Sequence, residues 1–156
     1  MRIAIIYCSY HHHNTLKVLE TLKETLAVTL IPYHDVENKT FEEYDLIGLA
    51  SGIYFNKFDQ HLLNIIDNST SLTNKPTFLL YTYGIKMPGY SKRPRQLLKQ
   101  KAAVYLGSFG CRGFDTYGVL KKIGGIAKHH PNERDFRKAR AFINKITNKT
   151  LQINQS

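Results

Sequence analysis

Short apolar runs alternate along this chain with amphipathic stretches, and this alternation constrains the fold more than any other feature. The first run, Ile3 to Tyr7, is continuous and rich in β-branched residues, as expected of a strand that is covered on both faces. Strands that alternate with helices need crossover connections, which are right-handed almost without exception. The sequence therefore predicts an α/β fold in which a parallel sheet lies between two layers of helices.

Five strands are predicted, and the common winding order for a sheet of this size is 2-1-3-4-5. Ligands of such sheets bind beyond the carboxyl ends of the first and third strands, where the winding reverses direction. The four strands after the first are predicted at Leu30–Ile31, Leu46–Ala50, Thr77–Thr82 and Ala103–Phe109.

Helices are predicted where apolar residues recur at helical spacing. Asn14 is predicted to cap the first helix, and Asn132 with Asp135 three residues later predicts a capping box for the last. No clear helix follows the second strand. The apolar helix positions are Val18, Leu19, Leu22 and Leu26; Phe58, Leu62, Ile65 and Ile66; and Phe136, Ala139, Ile143 and Ile146, with a weaker basic helix from about Arg93 to Lys101.

The length of 156 residues favours a single domain, 1–156, over two domains. No apolar run approaches the ~20 residues of a membrane helix, and the first run is too short for a signal peptide, so a cytoplasmic location is expected. Cys8 and Cys111 lie far apart in the sequence. Reduced, buried thiols are therefore expected, rather than a disulfide framework or a four-cysteine zinc site.

The chain is strongly basic, with 22 Lys and Arg residues against 12 Asp and Glu residues and a net charge of +10. A positive field favours encounters with any anionic partner without selecting one. A phosphorylated cofactor, an acidic protein and a nucleic acid all remain candidates at this point.

The loop after the first strand meets the N-terminus of the first helix, where unpaired N–H groups and the helix dipole favour an anion. It lacks both the lysine of a nucleotide triphosphatase loop and the G-x-G-x-x-G pattern, so a phosphate monoester is the favoured ligand. A polar capping loop without a ligand is the alternative. Adjacent histidines on one loop do not converge easily on one ion, and no metal site is predicted. The candidate phosphate-binding residues are Ser9, Tyr10, His11, His12, His13, Asn14 and Thr15.

The loops after the third and fourth strands combine small residues with aromatic ones. Such loops suit a flat conjugated ring, because aromatic side chains stack on its faces while the backbone approaches its edge. The alternative is that the aromatic residues pack within their own loops. The candidate ring-binding residues are Ser51, Gly52, Ile53, Tyr54, Phe55, Thr82, Tyr83 and Gly84. A phosphate at one loop and a planar ring at two others together predict a mononucleotide.

Four groups of residues, spread over nearly the whole chain, carry a family resemblance. They are Tyr7-Cys8-Ser9 with Asn14-Thr15; Ser51-Gly52-Ile53-Tyr54-Phe55 with Lys57-Phe58; Cys111-Arg112-Gly113-Phe114-Asp115-Thr116; and Gly124-Gly125 with His130-Pro131-Asn132. In these motifs the chain resembles short bacterial flavodoxin-like proteins, often described as flavodoxin family or flavodoxin domain proteins. The resemblance implies a flavodoxin-like three-layer sandwich, non-covalently bound FMN and electron transfer. By position, it places the phosphate on residues 9–15 and the isoalloxazine ring between residues 51–55 and 82–84.

Two departures from the family pattern concern the cofactor and the partner. Well-known flavodoxins carry a T/S-x-T-G-x-T phosphate loop, and histidine replaces the glycine here. Flavodoxins are also usually acidic, whereas this chain is basic. The expected partner is therefore a redox protein with an acidic surface, and positive charge near the ring would favour the anionic reduced flavin.

The stretch from Cys111 to His130 is long for a connection in a compact α/β domain. It is interpreted either as a flap or partner-docking surface near the flavin edge, or as a solvated basic loop that packs on the last strand. Cys111 is expected to be a packing residue, because no second cysteine lies nearby to resolve a redox reaction.

The leading hypothesis is an FMN-binding electron-transfer protein, for which no catalytic residue is required. A small FMN-dependent NAD(P)H oxidoreductase is the alternative. A basic nucleic-acid-binding module is a hypothesis of another class, supported by the charge but by no recognisable binding motif. A phosphoacceptor receiver domain is disfavoured, because Cys8, Ser9 and Ser51 stand where that domain has acidic residues.

Overall fold

The chain folds around one sheet, and the computed structural model describes it over residues 1–36 and 40–155. The strands are β1 (Ile3–Cys8), β2 (Val28–Pro32), β3 (Leu46–Tyr54), β4 (Lys57–Phe58), β5 (Pro76–Tyr83) and β6 (Val104–Arg112). The main path of the sheet runs β2-β1-β3-β5-β6, and every pair along it is parallel. The predicted 2-1-3-4-5 order of long strands is thus confirmed. The short β4 is an addition that pairs antiparallel with β3.

Helices cover both faces of this sheet. They are α1 (Asn14–Thr25), α2 (Gln60–Asn68), α3 (Lys92–Gln100) and α4 (Glu133–Asn154), with 3-10 turns at His11–His13, Tyr33–Asp35 and Gly118–Ile123. As predicted, the described residues between β2 and β3 form no α-helix. None of the helices in the described part of the chain is long and apolar enough to cross a membrane.

The strand β1 contributes side chains to two separate cores. Ile3 and Ile5 pack with buried residues of α1 and α4, whereas Ala4, Ile6 and Cys8 pack with those of α2 and α3. Successive side chains of a strand point to opposite faces of the sheet, so a strand between two helix layers is apolar throughout. This arrangement confirms the predicted three-layer sandwich.

Two glycines lie directly opposite aromatic residues on neighbouring strands. Gly48 pairs with Phe78, and Gly110 pairs with Tyr81. A Cβ atom at either glycine would lie 2.4 Å from the ring of its partner. Each ring therefore covers its glycine, with one pair on each face of the sheet.

The strands extend further toward their carboxyl ends than the sequence predicts. Ser51 and Gly52 still pair with β5, and Cys111 pairs with Thr82, because backbone hydrogen bonding to the neighbouring strands continues there. Phe58 belongs to β4, so its predicted place on a helix face is wrong. Several predicted loop residues are therefore fixed by the sheet itself.

The two predicted helix caps have different outcomes. The capping box of α4 is confirmed, since the Asn132 side chain accepts from the Asp135 N–H and the Asp135 carboxylate accepts from the Asn132 N–H. Asn14 does not cap α1, because it is already the first helical residue and the flanking residue is His13. The Asn14 amide instead donates to the Phe114 carbonyl at 2.8 Å.

Candidate functional site

A cleft lies beyond the carboxyl ends of β1, β3 and β5. Residues from the predicted loops and from the segment after β6 line it together. The lining residues are Ser9, His11, Asn14, Thr15, Gly52, Ile53, Tyr54, Phe55, Thr82, Tyr83, Gly84, Gly113, Phe114, Asp115 and Tyr117.

The loop after β1 makes a tight turn into α1. His12 and His13 both have positive φ, at 57° and 51°, in the left-handed region that favours glycine. The turn is closed by the His13 N–H, which donates to the Tyr10 carbonyl at 2.8 Å, and by the Leu16 N–H, which donates to Ser9 Oγ at 3.2 Å. The first turn of α1 thus opens at one end of the cleft, where its N–H groups favour an anion.

Asn14 joins this loop to the opposite wall of the cleft. Its Nδ2 donates to the Phe114 carbonyl, whereas its Oδ1 is buried and accepts no hydrogen bond from residues 1–36 or 40–155. Unpaired buried polar atoms are uncommon in folded proteins, because they lose hydration without compensation. A ligand hydroxyl or N–H in the cleft would satisfy this oxygen.

A two-residue hairpin between β3 and β4 forms the second wall. Phe55 and Asn56 at its tip have φ values of 51° and 60°, as a type I′ turn requires. Phe55 is 74% exposed, and its ring meets the exposed ring of Tyr117 at a centroid distance of 5.0 Å. A strained backbone thus presents Phe55 beside Tyr117 in the lining of the cleft.

Tyr54 links this hairpin to the first loop. Its hydroxyl accepts from the Tyr10 N–H at 2.8 Å, and its ring lies 5.2 Å from that of Tyr10. Burial raises the pKa of Tyr54 to about 12, so the phenol stays protonated at neutral pH. Burial likewise raises the pKa of Tyr83 above its ordinary value.

The segment after β6 supplies a third wall that the sequence analysis does not include among the site residues. The Gly113 N–H donates to the Tyr83 carbonyl at 2.9 Å, and Asp115 forms an isolated antiparallel bridge with Ile126. These bonds hold the segment against β5 and make it an ordered part of the cleft. The omitted lining residues are Gly113, Phe114, Asp115 and Tyr117. The C-R-G-F-D-T motif was the available signal, because three of the four belong to it.

Eleven of the fifteen predicted site residues line the cleft, and four do not. The hydroxyl of Ser51 is buried and bonds the Gly52 carbonyl and the Asp59 N–H, so it is engaged within the sheet edge. Tyr10 packs toward Tyr54 and Tyr33. His12 is held against the third wall, where its Nε2 lies 2.8 Å from Thr116 Oγ1. The fourth, His13, is an exposed residue at the start of α1.

The cleft combines an anion-favouring helix N-terminus with aromatic side chains. The first turn of α1 lines it together with Phe55 and Tyr117, and the ring of Tyr117 lies 5.9 Å from that of His11. Asp115 is the one carboxylate among the described lining residues, and its Oδ1 already accepts from the Tyr117 N–H at 2.8 Å. The arrangement therefore suits binding of a phosphorylated planar molecule.

Comparison with known proteins gives one family and several structures of the same fold. The family model of the flavodoxin domain matches residues 4–112. An uncharacterized protein of Methanocaldococcus jannaschii is 39% identical over 148 residues, which cover 94% of this chain and 98% of that protein. Because this relative is archaeal, the bacterial qualifier of the sequence-based resemblance is not confirmed.

Two solved structures illustrate the fold. A flavodoxin from the domain Archaea has a TM-score of 0.70 and 14% identity, covering 96% of this chain and 99% of that chain. General stress protein 14 from Treponema denticola, solved in complex with FMN, has a TM-score of 0.62 and 13% identity. The match covers 93% of this chain and 98% of that chain. At such identities these structures show a shared architecture.

Proposed function

The chain belongs to the flavodoxin domain family, and on that premise we propose that it binds FMN in the cleft and serves in electron transfer. The observation that carries the proposal is the pairing of a helix N-terminus with aromatic walls at the carboxyl edge of a parallel sheet. This is the edge at which ligands of such sheets bind. The FMN complex of general stress protein 14 adds support from a protein of the same fold.

The residues of the cleft fit the two ends of FMN. The first turn of α1 would hold the phosphate, and the buried Oδ1 of Asn14 would accept from a ribityl hydroxyl. Phe55 and Tyr117 are mostly exposed and would cover the isoalloxazine ring. When bound, FMN supplies the redox chemistry, and the protein provides orientation and electrostatics.

We extend the proposal to an acidic partner protein that docks beside Phe55 and Tyr117 of the cleft. Tyr117, Val119 and Ile123 are exposed there, and Lys121 and Lys122 lie among them on the same 3-10 turn. No acidic residue occurs in the sequence between Asp115 and Glu133. An apolar patch with a basic rim favours an acidic surface, because complementary charge steers association.

The first experiment tests cofactor binding with the full chain. Protein purified from its own cells is expected to be yellow, with FMN as the released flavin, and flavin-free protein is expected to bind added FMN. A colourless protein that does not bind FMN would refute the proposal. Bleaching on addition of NAD(P)H alone would favour the oxidoreductase alternative over the carrier.

The second experiment locates the phosphate. Asn14→Asp places a carboxylate beside the first turn of α1 and should weaken FMN binding by about tenfold or more, whereas Asn14→Ala removes the amide without adding charge. Riboflavin, which has no phosphate, should lose less affinity in Asn14→Asp than FMN does. Asn64→Asp on exposed α2 is the matched control. Equal losses for FMN and riboflavin would place the phosphate elsewhere.

A further inference from the structure

A thiol, a carboxylate and an imidazole converge on the side of β1 that faces α2, outside the cleft. They belong to Cys8, Asp59 and His61, and their potential ligand atoms all lie within 4.8 Å of one another. None of the three lines the cleft described above. Two of them, Cys8 and Asp59, are buried, whereas the His61 side chain is 57% exposed.

The positions of the three side chains are set by the fold. Cys8 ends β1, and Asp59 caps α2 by accepting from the His61 N–H at 2.9 Å. His61 Nδ1 lies 3.2 Å from Asp59 Oδ1, and the ring of Tyr33 packs on the imidazole at a centroid distance of 4.6 Å. The cluster is therefore held by a strand end, a helix start and an aromatic support.

We propose that Cys8, Asp59 and His61 form a binding site for one zinc ion. Sulfur, nitrogen and oxygen ligands in one cluster match the preferences of zinc, which binds thiolate, imidazole and carboxylate with tetrahedral geometry. Bond lengths of about 2.0–2.3 Å place tetrahedral ligands roughly 3.3–3.8 Å apart. The distance of 3.2 Å between Asp59 Oδ1 and His61 Nδ1 is close to this spacing, and all three ligand atoms already lie within 4.8 Å of one another.

The ion would take the place of the thiol proton. The thiol of Cys8 interacts with the Asp59 carboxylate and the Tyr10 hydroxyl. On zinc binding the S–H bond breaks, a sulfur–zinc bond forms and the proton passes to solvent, with no change in oxidation state. Three protein ligands leave a fourth position for water or for the Tyr10 hydroxyl, which lies 3.5 Å from His61 Nδ1.

Such a site would connect β1 to α2 directly before the loop that enters the cleft. Ser9 follows Cys8 in the chain, and the Tyr10 N–H bonds the hydroxyl of Tyr54. Zinc would therefore order the first loop from outside the cleft. The proposal does not rest on FMN, because Cys8, Asp59 and His61 do not line the cleft.

Metal titration of the full chain, with any flavin retained, tests this proposal. Zinc is expected to bind with a stoichiometry of one, and Co²⁺ in its place should give tetrahedral bands at red wavelengths, where oxidised flavin is transparent. His61→Ala should weaken zinc binding by at least about tenfold, and Cys8→Ser should remove the sulfur-dependent bands. The controls are Cys111→Ser, which alters the other buried thiol, and His34→Ala, which removes an exposed imidazole beside Asp35.

His61→Ala keeps the test decisive if Cys8→Ser fails to fold, because His61 is exposed. The proposal is overturned if no zinc binds, or if binding is unchanged in His61→Ala. Loss of binding in a variant with the His11–His13 run replaced, but not in His61→Ala, would assign the ion to that run and overturn it as well. FMN affinity measured on the same variants separates the failure of this site from failure of the cofactor site.

Discussion

Asn14 offers a test of whether the cleft is shaped for a ligand or only for folding. Asn14→Ala removes a hydrogen bond to the Phe114 carbonyl and leaves that acceptor unpaired, which costs about 1–3 kcal/mol. The same substitution removes the buried Oδ1, whose missing partner carries a desolvation cost in the same range of about 1–3 kcal/mol. The two effects have opposite signs. We therefore expect the free energy of unfolding of the flavin-free variant to lie within about 2 kcal/mol of that of the unsubstituted protein.

The liganded protein should behave differently. If the Oδ1 atom accepts a hydrogen bond from FMN, its removal lowers the binding free energy by about 0.5–1.5 kcal/mol, which raises the Kd up to about tenfold. Urea unfolding of flavin-free protein gives the first quantity, and fluorescence titration with FMN gives the second. Asn64→Ala, an exposed substitution on α2, should change neither.

The opposite result would refute this reasoning. A loss of more than about 2 kcal/mol in flavin-free protein, with an unchanged Kd for FMN, would make Asn14 a structural residue. The unpaired oxygen would then be a local imperfection of packing and no sign of a ligand.

Three further predictions concern the first loop, the partner surface and a buried thiol. His13→Gly should stabilise the protein by about 1 kcal/mol in thermal unfolding, because glycine adopts the left-handed conformation of this position without strain. His12→Gly should stabilise the protein less, because it also loses the contacts of His12 with Thr116 and Phe114. Equal effects of the two substitutions would contradict this account. Replacing Lys121 and Lys122 by Gln should slow electron exchange with an acidic redox protein at low salt and make the rate less dependent on salt. Two Gln substitutions in the middle of α4 should have neither effect. If the Lys121 and Lys122 variant exchanges electrons as fast as the unsubstituted protein, these lysines do not belong to the partner surface. Burial raises the pKa of Cys111 from its ordinary 9.0 to about 12, so the thiol loses its proton at lower pH in the unfolded state than in the folded state. The free energy of unfolding should therefore fall as the pH rises from 9 toward 12. The urea midpoint should fall less steeply with pH in Cys111→Ser than in the unsubstituted protein, and an identical decline would refute this assignment.

The order of the sheet could be predicted from the sequence because it depends on local patterns and on general connection rules. Continuous apolar runs mark strands such as β1, and handedness restricts the topologies that can join them. The predicted capping box at Asn132 was right for the same reason, since the hydrogen bonds it needs lie within four residues.

The C-R-G-F-D-T motif indicated the segment that forms the third wall, but its individual lining residues could not be assigned from the sequence, because their positions depend on contacts between distant residues. Asp115 reaches the cleft through a bridge to Ile126 and lies beside Gly84 of another loop. The antiparallel pairing of β3 with β4 was not predicted for a different reason, although Phe55 was correctly placed in the loop. Phe55 has positive φ, and bulky residues adopt that conformation so rarely that no propensity argument predicts it.

The glycines that face aromatic rings help to set the register in which neighbouring strands pair. In a sheet with one wet face, a slip of one residue is penalised because it moves apolar side chains into water. Here an apolar core covers each face of the sheet, so a strand shifted by one residue would still bury its apolar side chains. Shape disfavours it, because the rings of Phe78 and Tyr81 occupy the space that a Cβ atom would need at Gly48 and Gly110. These pairs therefore favour one register between adjacent strands, and this register aligns the strand ends that surround the cleft.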